Sequence, residues 1–164
     1  MRIDLLCTNP SHPVVPFLLR WVVDRGHEHD LRLVHDKSEL ETGDLLYLVS
    51  CSQLIGTEDR VRYAHVMVLH ASDLPVGRGW SPHIWDILAG KEELTLSLLT
   101  AEGGVDTGAI WAKRSFAMPR HALHDEINAL LFQAELDLMD RGIAMVAAGE
   151  APVPQPTAGG SYHP

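Results

Sequence analysis

Asp44-Leu45-Leu46-Tyr47-Leu48-Val49-Ser50 is almost continuously apolar, as a strand covered on both faces of a parallel sheet must be. A second run of the same kind, Val66-Met67-Val68-Leu69, ends on His70. The stretch between them, Thr57 to Tyr63, is long enough only for a short helix. Towards the N-terminus, Ile3–Cys7, closed by Thr8-Asn9-Pro10, and Leu31–Val34 are two further strands. Between these, Pro13 to Arg25 carries Val14, Phe17, Leu18, Trp21 and Val22 as a helical stripe that Gly26 ends. Towards the C-terminus, Pro82 to Ala89 is a helix with Ser81 expected as its N-cap and Pro82 at its first position. Leu94–Leu99 and Ala109–Phe116 are strands around a polar, glycine-rich loop, Ala101–Gly108. A last helix, Leu123 to Met139, gathers Leu123, Ile127, Leu130, Leu131, Ala134 and Leu138 on one face. Strands that alternate with helices predict an α/β fold whose sheet is mostly parallel and covered by helices on both faces.

The length of 164 residues suits one domain, and a chain of this size buries roughly 70% of its unfolded surface. Residues 1–149 are expected to form that domain, and 150–164, with four prolines and no periodicity, an extended or loose tail. Thirteen basic against 22 acidic residues give a net charge of −9, which opposes long-range attraction to nucleic acid. No apolar stretch approaches the length of a membrane span. The N-terminus runs straight into a strand without the pattern of a signal peptide. Two cysteines, Cys7 and Cys51, make no disulfide framework, so a reduced, cytoplasmic setting is expected.

In an open α/β sheet, ligands bind beyond the carboxyl ends of the strands. Three features fall there: Ser50-Cys51-Ser52, His70, and Asp106 within Gly103-Gly104-Val105-Asp106-Thr107-Gly108. A histidine at a strand end is often structural, and an aspartate in a glycine-rich loop is often a turn residue. Together they have a use, because a carboxylate orients an imidazole and stabilises its cation, which suits acyl transfer to an amine.

The run from His70 to Pro82 resembles the signature of folate-dependent formyltransferases, a histidine followed by Ser-Leu-Leu-Pro and Arg-Gly-x-x-Pro. Here the pattern reads Ser72-Asp73-Leu74-Pro75 and Arg78-Gly79-Trp80-Ser81-Pro82. Val105-Asp106-Thr107-Gly108 is similar to that family's Val/Leu-Asp-Thr-Gly loop, and Ser50 to Ile55 to its folate loop. The resemblance is strong over residues 44–118 and looser elsewhere. It implies a single Rossmann-like catalytic domain that moves a formyl group from 10-formyltetrahydrofolate to a primary amine, with His70 and Asp106 as the catalytic pair. It also implies that Ser52, Gln53, Leu54 and Ile55, with Gly103, Gly104 and Val105, line the folate. Ser72, Arg78, Gly79 and Trp80 would meet the acceptor, expected to be an amino sugar or nucleotide-linked amino sugar. The family has an asparagine two residues before its histidine, where this chain has Val68. Two alternatives therefore stay open: a catalytically weakened folate- or nucleotide-binding module of the same fold, or a hydrolase of formyltetrahydrofolate. Ser50, Gln53 and Ser72 are the donors that could replace the asparagine.

Other candidates have blander readings. Cys51 after a strand is a small hydrophobe in most such positions. His27-Glu28-His29 lacks the spacing that brings metal ligands together, so no metal site is expected. Trp21 and Trp111 fit the core, and Arg114 suits either a phosphate or folate-glutamate contact or a solvated surface. A symmetric homodimer is the assembly expected of a small α/β enzyme.

Overall fold

The computed structural model describes residues 1–156 and 158–163. Six strands form a mixed sheet flanked by helices, so the chain has the α/β fold that the alternation of strands and helices predicted, of the Rossmann-like kind that the resemblance implied. The chain divides into two compact units, Met1–Val68 and Leu69–Pro164.

The first unit comprises β1 (Arg2–Leu6), α1 (Val15–Arg25), β2 (Asp30–Val34), a 3-10 turn (Lys37–Glu39), β3 (Gly43–Leu48), α2 (Thr57–Arg60) and the start of β4 (Tyr63–His70). The strands are parallel in the order β2-β1-β3-β4, with Ile3 opposite both Leu31 and Leu45. β1 and β3 lie inside this set, and Ile3, Leu5, Leu6, Leu45, Leu46 and Tyr47 are fully buried, which is why both read as unbroken apolar runs. β4 begins at Tyr63, earlier than its apolar stretch suggests, and α2 is correspondingly only one turn. The Tyr63 hydroxyl donates to the buried Asp4 carboxylate, which Arg32 also faces at 3.7 Å. A buried carboxylate requires such partners, and they fix a polar residue within the strand.

The second unit comprises β5 (Arg78–Gly79), α3 (Pro82–Leu88), β6 (Glu93–Thr100), β7 (Ile110–Ala117), α4 (His124–Ala147) and β8 (Tyr162–His163). β6 and β7 are antiparallel, Glu93 opposite Ala117, with a register shift at Leu98/Leu99. The loop joining them is too short for the crossover that parallel neighbours need, and so this pair departs from the parallel pattern. α4 packs on β7 and β6. It runs to Ala147 because Asp140-Arg141 falls on the polar side of a 3.6-residue period that Ile143 and Met145 continue on the buried side. Leu123 and Leu130, expected on the buried face, are exposed at the opening of that helix. Ser81 also differs from expectation. It stands at the N-cap position of α3 in the left-handed region, φ +46°, with no side-chain capping bond. Beyond α4 the described residues are fastened to the rest of the unit: Ile110 and Val153 exchange two 2.8 Å backbone bonds, and β8 pairs in parallel with β5. No helix among the described residues is long and apolar enough to cross a membrane.

One core residue on α4 is costly. Glu135 is buried, its Oε2 has no hydrogen-bond partner, and burial pushes its carboxyl up to about 8. The folded chain therefore keeps a proton that the unfolded chain releases from about 4.5 upward. The contribution of this group to stability is fullest below that pH and declines as the pH rises to about 8. Glu135→Gln is expected to remove this decline and to raise stability at pH 8 by on the order of a few kcal/mol. Denaturant titrations of both proteins between pH 5 and pH 9 check it; parallel curves for the two would contradict it.

Candidate functional site

β4 delivers His70 to a strand end, and its imidazole is buried. The chain then turns through residues 71–77. Ser97 of β6 holds this turn by donating to the Ser72 carbonyl at 2.7 Å, and Lys113 of β7 holds it by donating to the Leu74 carbonyl at 2.6 Å. The turn brings the Gly77 carbonyl to 2.8 Å from Nε2 of His70. A carbonyl can only accept, so Nε2 carries the proton in this arrangement. Nδ1 is the nitrogen left to exchange one, and it faces Oδ1 of Asp106 at 3.6 Å. The other carboxylate oxygen, Oδ2, accepts from the backbone N–H of Gly79 at 2.9 Å. His70 and Asp106 are thus brought together within the second unit, with the 77–79 backbone tied to both.

Asp106 adopts φ +51° and Ser81 φ +46°. Left-handed non-glycine residues of this kind collect at functional sites, and these two flank the loop that carries Gly79. Gly79 itself has φ +99°, and a Cβ there would lie 1.9 Å from the His163 carbonyl oxygen. Only glycine lets β5 lie against β8 at this point.

The remaining residues singled out in the sequence fall into distinct settings. Gly103, Gly104 and Val105 stand exposed in the open loop before Asp106. Arg78 is half-buried, Trp80 is 63% exposed, and Ser72 is enclosed, its hydroxyl without a hydrogen-bond partner. In the first unit, Ser52 and Thr8 bond through their hydroxyls at 3.0 Å. The Gln53 amide donates to Asp36 at 2.7 Å and accepts from the Lys37 N–H at 2.8 Å. Each end of that side chain is engaged once, and the amide keeps a second N–H. Leu54 is exposed and Ile55 buried. Burial pushes the Cys51 thiol up, against the thiolate a nucleophile needs. Among the described residues no His, Cys, Asp and Glu side chains gather as a metal site.

Two sets of residues near the pair had escaped the sequence reading. His83, on α3, has its Nδ1 buried without a partner. Burial and then the nearby His70 hold its pKa below the ordinary histidine value, while Asp86 opposes them. The second set follows α4. Gln155 donates to the carbonyls of Asp106 and Gly108, both at 2.8 Å, and accepts from the Arg78 guanidinium at 2.8 Å. Ser161 accepts from the Gly77 N–H through its hydroxyl, and His163 stacks on Trp85 with ring centroids 5.7 Å apart. The one local signal was a glutamine between two prolines, Pro154-Gln155-Pro156.

The sequence model of the formyl transferase family matches residues 11–141. The methionyl-tRNA formyltransferase of Dichelobacter nodosus is 35% identical over 97 residues, 57% of this chain and 30% of that protein. The mitochondrial 10-formyltetrahydrofolate dehydrogenase of Homo sapiens is 31% identical over 123 residues, 73% of this chain and 13% of that protein. The chain therefore spans less than a third of the length of either relative. The formyltransferase PseJ from Anoxybacillus kamchatkensis, solved with UDP-4,6-dideoxy-4-formamido-L-AltNAc and tetrahydrofolate, superposes with a TM-score of 0.70 at 22% identity, covering 99% of this chain and 85% of that one. At that identity the likeness is one of fold.

The Gly79 geometry gives a direct test. Gly79→Ala is expected to break the pairing of residues 78–80 with 162–163, at a strain of about 1–3 kcal/mol. Amide exchange at Arg78 and Trp80 should then quicken by on the order of 10- to 100-fold. Unchanged protection of both amides would show that the pairing does not depend on this glycine.

Proposed function

Because this chain belongs to the formyl transferase family, we propose that it moves a formyl group from 10-formyltetrahydrofolate to a primary amine, with His70 and Asp106 at the reacting centre. The observation that carries this reading is their convergence, Nδ1 to Oδ1, at the end of β4. In the balanced reaction the amine nitrogen bonds to the formyl carbon, the bond from that carbon to N10 of the folate breaks, and one proton passes from the amine to N10. His70 is placed to carry that proton. Its Nε2 is engaged by Gly77, so Nδ1 takes the proton from the attacking amine and returns it to the leaving nitrogen. Asp106 stabilises the imidazolium in between, and Gly79 keeps the carboxylate from turning away. The exposed 103–105 backbone, where a Cβ on Gly103 would meet nothing within 4 Å, suits a flat heterocycle laid against it.

The acceptor we favour is an amino sugar, alone or linked to a nucleotide. The net charge of −9 opposes a nucleic-acid substrate. The exposed Trp80, next to Gly79, offers an aromatic face of the kind sugars and bases stack on. PseJ, which shares the fold, was solved with a formamido sugar nucleotide.

Val68 favours a second reading. It stands two residues before His70 and so on the same face of β4, and it cannot donate to a developing oxyanion. Loss of one such donor costs roughly 100- to 1000-fold in rate. That is room for a slow transferase, a hydrolase that gives the formyl group to water, or a folate-binding module.

The test is turnover of 10-formyltetrahydrofolate with and without amino sugars, following formamide and free formate separately. His70→Gln and Asp106→Asn should each lower kcat by on the order of 100-fold or more, while tetrahydrofolate should still raise the melting temperature of both variants. Val68→Asn should raise kcat and leave KM largely unchanged, because the restored donor acts in the transition state. Wild-type kcat in both pair variants would remove His70 and Asp106 from the chemistry. Formate alone as product would establish the hydrolase.

A further inference from the structure

The segment after α4 binds the loops that hold the pair instead of running free. Besides the Ile110–Val153 bonds, two of its residues reach the loops of the pair. Gln155, through one amide, joins the carbonyls of Asp106 and Gly108 to the guanidinium of Arg78. Ser161 accepts from the N–H of Gly77 at 2.8 Å through its hydroxyl and from the N–H of Arg78 at 3.0 Å through its carbonyl. Its own N–H donates to the Pro75 carbonyl at 3.3 Å, and the His163 carbonyl accepts from Trp80 at 3.2 Å. Every one of these contacts is a single covalent step, or a few, from an atom that touches His70 or Asp106. The Gly77 residue that Ser161 holds by its N–H presents its carbonyl to His70 Nε2. The residue whose carbonyl Gln155 holds is Asp106 itself.

We propose that Gln155 and Ser161 are positioning residues for the His70–Asp106 pair: Gln155 sets the Asp106 loop against the Arg78 loop, and Ser161 fixes the Gly77 carbonyl that keeps the His70 proton on Nε2. The kinetic part of this proposal rests on the formyl-transfer reading above, and the geometric part does not. A glutamine suits the task because its amide donates twice and accepts once in one plane. The left-handed backbone at Asp106, φ +51°, points the Asp106 carbonyl towards neighbours that are not part of a strand. A partly buried carbonyl in that setting takes its donor from elsewhere, and Gln155 supplies it. The Asp106 and Gly108 carbonyls and the Gly77 N–H are thereby bonded by a segment distant in sequence, so the pair is complete only when residues 155 and 161 are in place.

Three variants separate positioning from bulk stability. Gln155→Ala removes every bond of the amide. Gln155→Glu keeps an acceptor for Arg78 and loses both donations to the Asp106 and Gly108 carbonyls. Ser161→Ala frees the Gly77 N–H. For each, kcat and KM for 10-formyltetrahydrofolate, amide exchange over residues 77–80 and 103–108, and the 15N shifts of the His70 ring are measured. The expected result is a kcat lower by on the order of 10- to 100-fold, as for a small misplacement of reacting groups, with KM changed less than about threefold. Gln155→Glu should be as impaired as Gln155→Ala, which assigns the effect to the Asp106 side of the bridge. Ser161→Ala should spread the His70 proton over both ring nitrogens. Wild-type kcat in Gln155→Ala, or an unchanged His70 tautomer in Ser161→Ala, would overturn the proposal. If the wild-type protein transfers no formyl group, the ring shifts and amide exchange still decide it: loosened loops and a shifted tautomer uphold the positioning role while the formyl-transfer reading falls.

Discussion

The backbone from Gly77 to Gly79 holds the two sides of the candidate site together. Its carbonyl at Gly77 accepts from one nitrogen of His70, and its N–H at Gly79 donates to one oxygen of Asp106. These two main-chain groups fix which atoms of the pair remain available, Nδ1 and Oδ1, and set them 3.6 Å apart. Backbone groups serve this purpose well because they cannot change protonation state or rotamer. The arrangement demands φ of +75° at Gly77 and +99° at Gly79, conformations that side chains rarely permit. The glycines, the turn pinned by Ser97 and Lys113, and the segment after α4 all serve to hold that short stretch.

Such a stretch is not stable alone. β5 has two residues and its partner β8 has two, and an isolated pair of that length does not persist in water. What keeps it is the number of independent ties: Ser161 to Gly77, Gln155 to Arg78, Trp85 against His163, and Asp106 to Gly79. The site therefore depends on parts of the second unit that lie far apart in the sequence. Val68 stands apart from this arrangement, since it belongs to the regular strand that leads to His70 and owes nothing to the loops. In the proposed chemistry, a valine at this position supplies no donor to a developing oxyanion.

Much of this was legible in the sequence, for identifiable reasons. The central strands were plain because Leu45–Leu48 and Val66–Leu69 face apolar neighbours on both sides and so carry no polar interruption. His70 and Asp106 were legible because each sits in a short run of fixed pattern. The true starts of β4 and ends of α4 were not, since Tyr63 is held by a partner on another strand and Asp140-Arg141 looks like a terminus while keeping helical period. Ser81 stands at the expected N-cap of α3, but in the left-handed region and without a side-chain capping bond. Gln155, Ser161 and His163 were invisible for a different reason. They bond chiefly to main-chain atoms of distant loops, and a main-chain partner leaves no mark on the residue types it selects. His83 was missed because a histidine on a short helix gives no hint that its ring faces inward.

The central claim is that His70 and Asp106 form a centre that moves a formyl group to an amine. It is tested most directly by a single-turnover experiment with 10-formyltetrahydrofolate carrying 13C in the formyl group, enzyme in excess, and a nucleotide-linked amino sugar as acceptor. The 13C resonance should leave the folate and appear as a formamide on the sugar nitrogen, at a rate that Asp106→Asn lowers by on the order of 100-fold. A label that stays on the folate, or one that moves equally fast in Asp106→Asn, would contradict the account.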